Sequence, residues 1–148
     1  MPGYLLDTNQ LSSLRLKPKI DALPNGTLVF VSTITLGEIA AGHVRNAGTN
    51  PTGRDEYLEW LNKFFVPRAL PVAATTRVYY AGIIGNIFKN RPPANIVKTE
   101  RYLVTLDVDI NDVWIAAIAL EHGLTLVTQD GMEEIRKAAI GLEIENWI

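Results

Sequence analysis

Short apolar segments alternate with stretches of helical periodicity along most of the chain, and this alternation limits the fold more than any other feature. Strands are predicted at residues 4–6, 28–31, 124–127 and 142–145, the last with the alternating character of a sheet edge. Helices are predicted at residues 35–44, 55–65, 76–88, 112–121 and 132–139. The pattern predicts an α/β fold with a mostly parallel central sheet flanked by helices, in one domain over residues 1–148.

Residues 90–109 do not give one clear pattern. Pro92 and Pro93 interrupt any helix there. Residues 97–102 could be helix or loop, and the β-branched segment 103–106 could be a further strand.

The composition limits both the location and the kind of site. Hydrophobic residues make up 47% and charged residues 20% of the chain, as in ordinary globular proteins. The chain contains no apolar run long enough for a transmembrane helix and starts without a basic segment, so we expect a cytoplasmic location. It has no cysteine and two histidines, so a metal site must depend mainly on carboxylates, which favour Mg²⁺ or Mn²⁺.

Four acidic residues occupy places where a parallel sheet would bring them together. Asp7 and Asp130 each follow a predicted strand, and ligands bind at the carboxyl ends of such strands. Glu38 and Asp112 lie near the starts of predicted helices that point at the same edge. Carboxylates that converge there would repel one another unless a cation lies between them. Such a site can activate water and stabilise charge on a phosphoryl group.

Each of these acids also has a purely structural interpretation. Asp7 could cap a helix that starts near Asn9. The segment 35–38 matches a capping box, in which Glu38 is a structural residue. Asp112 could interact with the helix dipole, or Asn111 could be the cap with Asp112 an incidental neighbour, and Asp130 could cap the last helix. The occurrence of all four acids in these places favours a metal site over four separate caps.

Four segments resemble the motifs of PIN-domain toxins of the virulence-associated protein C (VapC) type. They are residues 5–9 (LLDTN), 32–39 (STITLGEI), 111–119 (NDVWIAAIA) and 126–130 (LVTQD). Each motif is short, but together they span nearly the whole chain in the family's order.

The resemblance implies a Mg²⁺- or Mn²⁺-dependent endoribonuclease that cleaves RNA phosphodiester bonds. The acids that match the family's catalytic set are Asp7, Glu38, Asp112 and Asp130, of which Asp7, Asp112 and Asp130 would hold the metal. The matching residues Thr8, Asn9 and Thr128 would support the site. The resemblance also implies a toxin that pairs with a cognate antitoxin and forms a homodimer.

The chain departs from the family pattern in two places. Residues 90–109 make the approach to the third motif longer than usual, and they add Asp107 and Asp109 close to Asp112. We prefer Asp112 as the ligand because it stands at the start of the Ile-Ala-Ala helix. After Asp130 the chain lacks the Asp-Phe pair that some relatives have.

Two other functions fit parts of the sequence. A small phosphatase would need a second aspartate two positions after its nucleophile, where this chain has Asn9. The main alternative is a catalytically inactive PIN-like module that binds RNA or protein. The net charge of −2 weighs mildly against a plain nucleic-acid-binding module. Candidate phosphate contacts are Lys17, Lys19, Arg45, Arg68, Lys89, Arg91, Lys98 and Arg101.

Overall fold

A five-stranded parallel sheet forms the centre of the molecule in the computed structural model, which describes residues 3–45 and 54–148. The strands are β1 (Gly3–Leu6), β2 (Leu28–Ser32), β3 (Ala69–Leu70), β4 (Thr125–Val127) and β5 (Ile144–Glu145). Their order across the sheet is β3-β2-β1-β4-β5, and every neighbouring pair is parallel. The carboxyl ends of the two central strands, β1 and β4, therefore lie side by side.

Helices connect the strands and cover the sheet. They are α1 (Thr8–Leu11), α2 (Leu16–Asp21), α3 (Thr33–Arg45), α4 (Arg54–Phe64), α5 (Thr76–Asn90), α6 (Thr99–Thr105), α7 (Ile110–Glu121) and α8 (Glu133–Ala138). A short 3-10 turn, Val66–Arg68, precedes β3. No helix within the described ranges is long and apolar enough to cross a membrane.

Alternating side chains of the central strands build a core on each face of the sheet. Leu5 and Leu126 belong to one buried cluster, while Leu6 and Val127 belong to the other. Successive residues of a strand point to opposite faces, so a strand that is covered on both sides is apolar throughout. This burial on both faces explains why the central strands read as continuous apolar runs.

Helix α7 is the most deeply buried helix in the described part of the chain. Residues 115–119 (IAAIA) are fully buried, and the helix packs mainly against α5. Alanine allows close approach of neighbouring elements, since its side chain adds little to the helix radius. The packing fixes the helix rigidly, and its first turn carries Asp112.

The structure confirms the predicted α/β fold and its parallel sheet, and it places β5 at an edge. It also contains three elements for which we made no prediction, β3, α2 and the 3-10 turn before β3. Strand β3 has only two residues, and α2 has six residues with a proline within it, so neither gives a clear periodic signal.

The suggested strand at residues 103–106 is wrong, because these residues lie in and just after α6. Leu103 is buried, whereas its neighbour Val104 is 75% exposed. One buried side chain per turn suits a helix, and tertiary packing here overrides the β propensity of valine and threonine. Asp107 then adopts a left-handed conformation (φ 59°) at the end of the helix.

Candidate metal centre

Asp7 is the most buried acid of the candidate site, with 3% of its surface exposed. It follows β1 directly, and its backbone N–H donates to the Val127 carbonyl of β4 at 2.9 Å. Its Oδ1 accepts from the Thr8 N–H at 2.8 Å, and its Oδ2 accepts from the Thr128 hydroxyl at 2.8 Å. Asp7 is therefore the N-cap of α1, which confirms the structural interpretation of this residue as a helix cap. The same carboxylate also faces the other acids described below.

Asn9 and Thr128 connect the loops that follow β1 and β4. The Asn9 amide nitrogen donates to Asp7 Oδ2 at 3.3 Å and to the Thr128 hydroxyl at 3.1 Å. The Asn9 side-chain oxygen accepts from the Gln129 N–H at 3.0 Å. The Thr128 hydroxyl also accepts from the Asp130 N–H at 3.1 Å. These bonds hold the two loops in one arrangement around the Asp7 carboxylate.

Asp7, Asp112 and Asp130 form a compact carboxylate cluster. One carboxylate oxygen from each of the three residues lies within 4.8 Å of the other two. They come from the end of β1, the first turn of α7 and the loop after β4. Within residues 3–45 and 54–148, this is the group of three or more such side chains whose spacing suits a metal ion.

Glu38 lies beside this cluster and is held by the hydroxyl group of Thr8. The Thr8 hydroxyl donates to Glu38 Oε1 at 2.7 Å and lies 3.3 Å from the Thr35 hydroxyl. The capping-box interpretation of residues 35–38 is wrong, because α3 begins at Thr33. The Ser32 hydroxyl accepts from the Thr35 N–H at 3.0 Å and caps the helix instead. Glu38 is therefore free of a capping role, in the second turn of α3.

Asp112 lies in the first turn of α7, where its charge can interact with the helix dipole as one structural interpretation predicted, but the two predicted caps at Asn111 and Asp130 are wrong. Asp109 is the N-cap of α7 and accepts from the Asn111 N–H at 2.8 Å, so neither Asn111 nor Asp112 caps this helix. Helix α8 begins after Met132 and has no side-chain cap, so Asp130 does not cap it. The sequence could not separate these cases, because Asp107, Asp109, Asn111 and Asp112 are all suitable cap residues within six positions.

The clustering raises the pKa of two carboxyl groups. Burial raises the pKa of Asp7 above its usual value, against the lowering effect of the bonds from Thr128 and Thr8, and the nearby Asp130 and Glu38 raise it further. Burial, followed by the negative charges of Asp7, Asp109, Asp130 and Glu38, raises the pKa of Asp112 to about 7. The metal-free cluster is therefore an electrostatically unfavourable arrangement.

The chemistry of this cluster fits a hard divalent cation. Its three ligand candidates are carboxylate oxygens, which Mg²⁺ and Mn²⁺ prefer. Neighbouring negative charges contribute to the raised pKa values of Asp7 and Asp112, and a bound cation would compensate those charges. The partial exposure of Asp112 and Asp130 leaves the cluster open on one side, as a site that also binds a substrate requires.

A groove of about 990 Å³ opens beside the cluster. Its walls come from α6, the segment between α6 and α7, and the segment between β4 and α8. Seven acidic side chains line it: Glu100, Asp107, Asp109, Asp112, Asp130, Glu133 and Glu134. No lysine or arginine is among its lining residues. Glu133 and Glu134 are paired with Lys137 and Arg91, and the other five acids leave the groove negative until a cation binds.

A smaller cleft of about 380 Å³ adjoins the loops that hold Asp7 and Asp130. Its lining residues are Asn9, Ser12, Ser13, Arg15, Gln129 and Ile148. Arg15 is not among the basic residues that we selected from the sequence as candidate phosphate contacts. A surface arginine gives no periodic signal, and its distance of eight positions from Asp7 was the one available hint.

No curated protein sequence gave a significant match. One chain in the structure of VapBC2 from Rickettsia felis, bound to a fragment of promoter DNA, superposes with a TM-score of 0.70 at 19% identity, covering 99% of both chains. A chain of VapBC-5 from Mycobacterium tuberculosis, a toxin-antitoxin system, gives a TM-score of 0.63 at 22% identity, covering 99% of this chain and 100% of that one.

A chain of FitAcB from Neisseria gonorrhoeae gives a TM-score of 0.61 at 24% identity, covering 97% of this chain and 96% of that one. At these identities the superpositions show a shared fold. The family model described as "PIN domain" matches residues 4–140, which include all four acids of the candidate site. The chain therefore belongs to the PIN-domain family.

Proposed function

We propose that this protein is a divalent-metal-dependent endoribonuclease and the toxin of a toxin–antitoxin pair. The observation that carries the proposal is the cluster of Asp7, Asp112 and Asp130, with one oxygen of each within 4.8 Å of the others, at the carboxyl ends of the central strands. Membership of the PIN-domain family, whose toxin members are generally nucleases, supports a role of this cluster in phosphodiester cleavage. We infer a cytoplasmic location together with this role.

Each residue of the site has a distinct task in the proposal. Asp7, Asp112 and Asp130 hold the cation, which when bound stabilises charge on the phosphoryl group and lowers the pKa of water. Thr128 and Asn9 orient the Asp7 carboxylate through their hydrogen bonds.

Glu38 is the fourth acid of the site and is fixed by the Thr8 hydroxyl at 2.7 Å. Its place beside the cluster, rather than within it, suits a role in orienting water or accepting its proton.

The partner of this toxin is proposed to be a small cognate antitoxin. Solved structures with the same fold include toxin–antitoxin complexes, among them VapBC-5 from Mycobacterium tuberculosis. The acidic groove beside the cluster would favour a partner with positive charge. We also propose that the chain forms a homodimer, which light scattering coupled to gel filtration would test directly.

The test is incubation of the purified protein with a mixed RNA pool in Mg²⁺, in Mn²⁺ and in chelator. We expect metal-dependent cleavage at discrete positions, and its loss in the variant Asp7→Asn. Asp107→Asn is a matched control, because Asp107 is an exposed acid of the same groove outside the cluster, and asparagine tolerates its positive φ. This control should cleave RNA at the rate of the unchanged protein.

Two results would contradict the proposal. Cleavage that survives in folded Asp7→Asn protein would show that the cluster is not catalytic. Intact RNA under every condition, with no heat release on titration with Mg²⁺ or Mn²⁺, would favour a catalytically inactive binding module.

A further inference from the structure

Two clefts adjoin the carboxylate cluster, and they differ in charge. The larger groove contains Asp112 and Asp130 and is lined by five further acids, of which Glu133 and Glu134 are paired with Lys137 and Arg91. The other three acids keep the groove negative away from a bound cation, so it repels phosphate there. The smaller cleft begins at Asn9 and Gln129, and no acidic side chain lines it. A polyanionic strand that reaches the cluster therefore meets repulsion on one path and donor groups on the other.

The free cation of the smaller cleft is Arg15. Within residues 3–45 and 54–148, its guanidinium takes part in no ion pair or hydrogen bond, although its backbone N–H donates to the Ser13 hydroxyl oxygen at 3.2 Å. By contrast, Arg91 near the larger groove is paired with Glu134 at 2.9 Å. Arg15 thus keeps its full set of donors for an external acceptor.

The other lining groups of this cleft are also suited to an acceptor-only ligand. The Ser13 hydroxyl oxygen accepts from Arg15, so its hydrogen stays available to donate. The Gln129 side chain is exposed at the cleft, while its backbone N–H is fixed by Asn9 at 3.0 Å. Guanidinium, hydroxyl and amide donors together match the oxygens of a phosphodiester.

The cleft is rigidly connected to the cluster. Asn9 lines the cleft and also donates to Asp7 Oδ2 at 3.3 Å. Gln129 lines the cleft and directly precedes Asp130. A nucleic-acid backbone phosphate in the cleft therefore lies a short distance along the strand from a phosphate at the cluster.

We propose that this cleft, through Arg15 and Ser13, binds the backbone phosphate of a nucleotide that neighbours the scissile bond. The inference rests on the proposed ribonuclease function, and it adds a subsite that sets the position of the strand. Arg15 is a positioning residue here, since it holds the substrate and does not touch the reacting atoms.

The first test measures binding without cleavage. Arg15→Ala and, separately, Arg77→Ala are introduced into the Asp7→Asn protein, and affinity for random-sequence single-stranded RNA is measured by fluorescence anisotropy at several salt concentrations. Arg77 is the matched control, because it lies at the start of α5, away from Asp112. The hydroxyl of its neighbour Thr76 bonds to Glu121 in the last turn of α7, whereas Asp112 lies in the first turn of that helix.

We expect Arg15→Ala to weaken RNA binding roughly tenfold, as loss of one charge-assisted contact does. It should also reduce the slope of log K against log salt by about 0.7, the value for one phosphate on a single strand. Arg77→Ala should change neither quantity. Competition by inorganic phosphate alone, with no effect of Arg15 on RNA affinity, would show a site for free phosphate and overturn the proposal.

The second test locates the phosphate in a cleaved RNA. Single methylphosphonates replace each phosphate near the cleavage position, which removes one charge at a time. In the unchanged protein, one neighbouring position should raise KM roughly tenfold, and in Arg15→Ala that position should have no further effect. Equal sensitivity of both proteins at every position would overturn the subsite.

The two proposals can fail separately. If no RNA is cleaved but Arg15→Ala still weakens binding and Arg77→Ala does not, the ribonuclease function fails and the cleft stands as a binding site for an RNA backbone phosphate. If RNA is cleaved and the two substitutions act alike, the subsite fails and the function stands.

Discussion

Replacing Asp112 with asparagine should make the metal-free protein more stable at pH 8. Burial, followed by the neighbouring negative charges, raises the pKa of Asp112 to about 7, so the folded protein resists its ionisation. Asparagine has nearly the same shape and no charge. The substitution therefore removes repulsion with Asp7 and Asp130 while it keeps the packing of the first turn of α7.

The size of this effect follows from linkage between protonation and folding. The pKa of Asp112 is about 7 in the folded protein against a usual value of 3.8, and at about 1.36 kcal/mol per unit this is at most roughly 4 kcal/mol. Asp112 is partly exposed and coupled to its neighbours, so we reduce the expected value to about 2 kcal/mol. For a chain of this size, that corresponds to a rise in Tm of about 4–8 °C.

The pH dependence has a definite sign. Because the folded pKa is the higher one, the folded state binds more protons, and stability from this group is fully present below about pH 4. It is lost as the pH rises towards 7. The stabilisation by Asp112→Asn should therefore be close to zero at pH 4, grow between pH 4 and 7, and stay constant above that range.

The assay is thermal unfolding in chelator from pH 4 to pH 8, with Asp107→Asn as the control that removes an exposed acid from the same groove. Excess Mg²⁺ should then raise the Tm of the unchanged protein and of the control much more than that of Asp112→Asn, since the variant has lost a ligand. If Asp112→Asn is no more stable than the unchanged protein at pH 8 in chelator, the electrostatic account of the cluster is refuted.

Two further substitutions test the groups that hold the acids. Thr8→Val removes the hydroxyl that donates to Glu38 at 2.7 Å, and we expect the rate of RNA cleavage to fall roughly tenfold with little change in Mg²⁺ affinity. A Thr8→Ser variant keeps the hydroxyl and should keep the rate. Unchanged activity in Thr8→Val would exclude a role for this bond. Thr128→Val removes the hydroxyl that donates to Asp7 at 2.8 Å, and we expect roughly 10- to 100-fold weaker Mg²⁺ binding by calorimetry. Thr128→Ser serves as the control there, and an affinity equal to that of the unchanged protein in Thr128→Val would show that Asp7 is oriented by its other contacts.

The sequence was most informative where burial and chemistry fall on adjacent residues. Strands β1 and β4 are covered on both faces, so they appear as apolar runs, and an acid directly after such a run is conspicuous. Parallel order then brings Asp7 and Asp130 to one edge of the sheet. The proximity of these two acids follows from the sequence by simple rules.

The sequence was least informative where several residues compete for one local role. Ser32 and Thr35 can each cap α3, and the sequence alone does not show which of them does. In the structure Ser32 is the cap, so Glu38 lies outside the capping position. Likewise, Asp109 and Asp112 lie within one turn of each other, and only the packing of α7 decides which one faces Asp7. Capping preferences are too similar among serine, threonine, aspartate and asparagine to settle such cases.

Arg15 shows a different limit of sequence-based prediction, because the sequence does not show which acidic residues lie near a surface arginine. Whether a surface arginine is available to a ligand depends on the acids around it, and those are set by tertiary structure. Arg91 has Glu134 within 2.9 Å, although the two residues are 43 positions apart in the chain. Arg15 has no such partner among the described residues, and it lies at the cleft that adjoins Asn9. A functional charge on a surface is therefore recognised by its missing counter-charge, which only the folded structure displays.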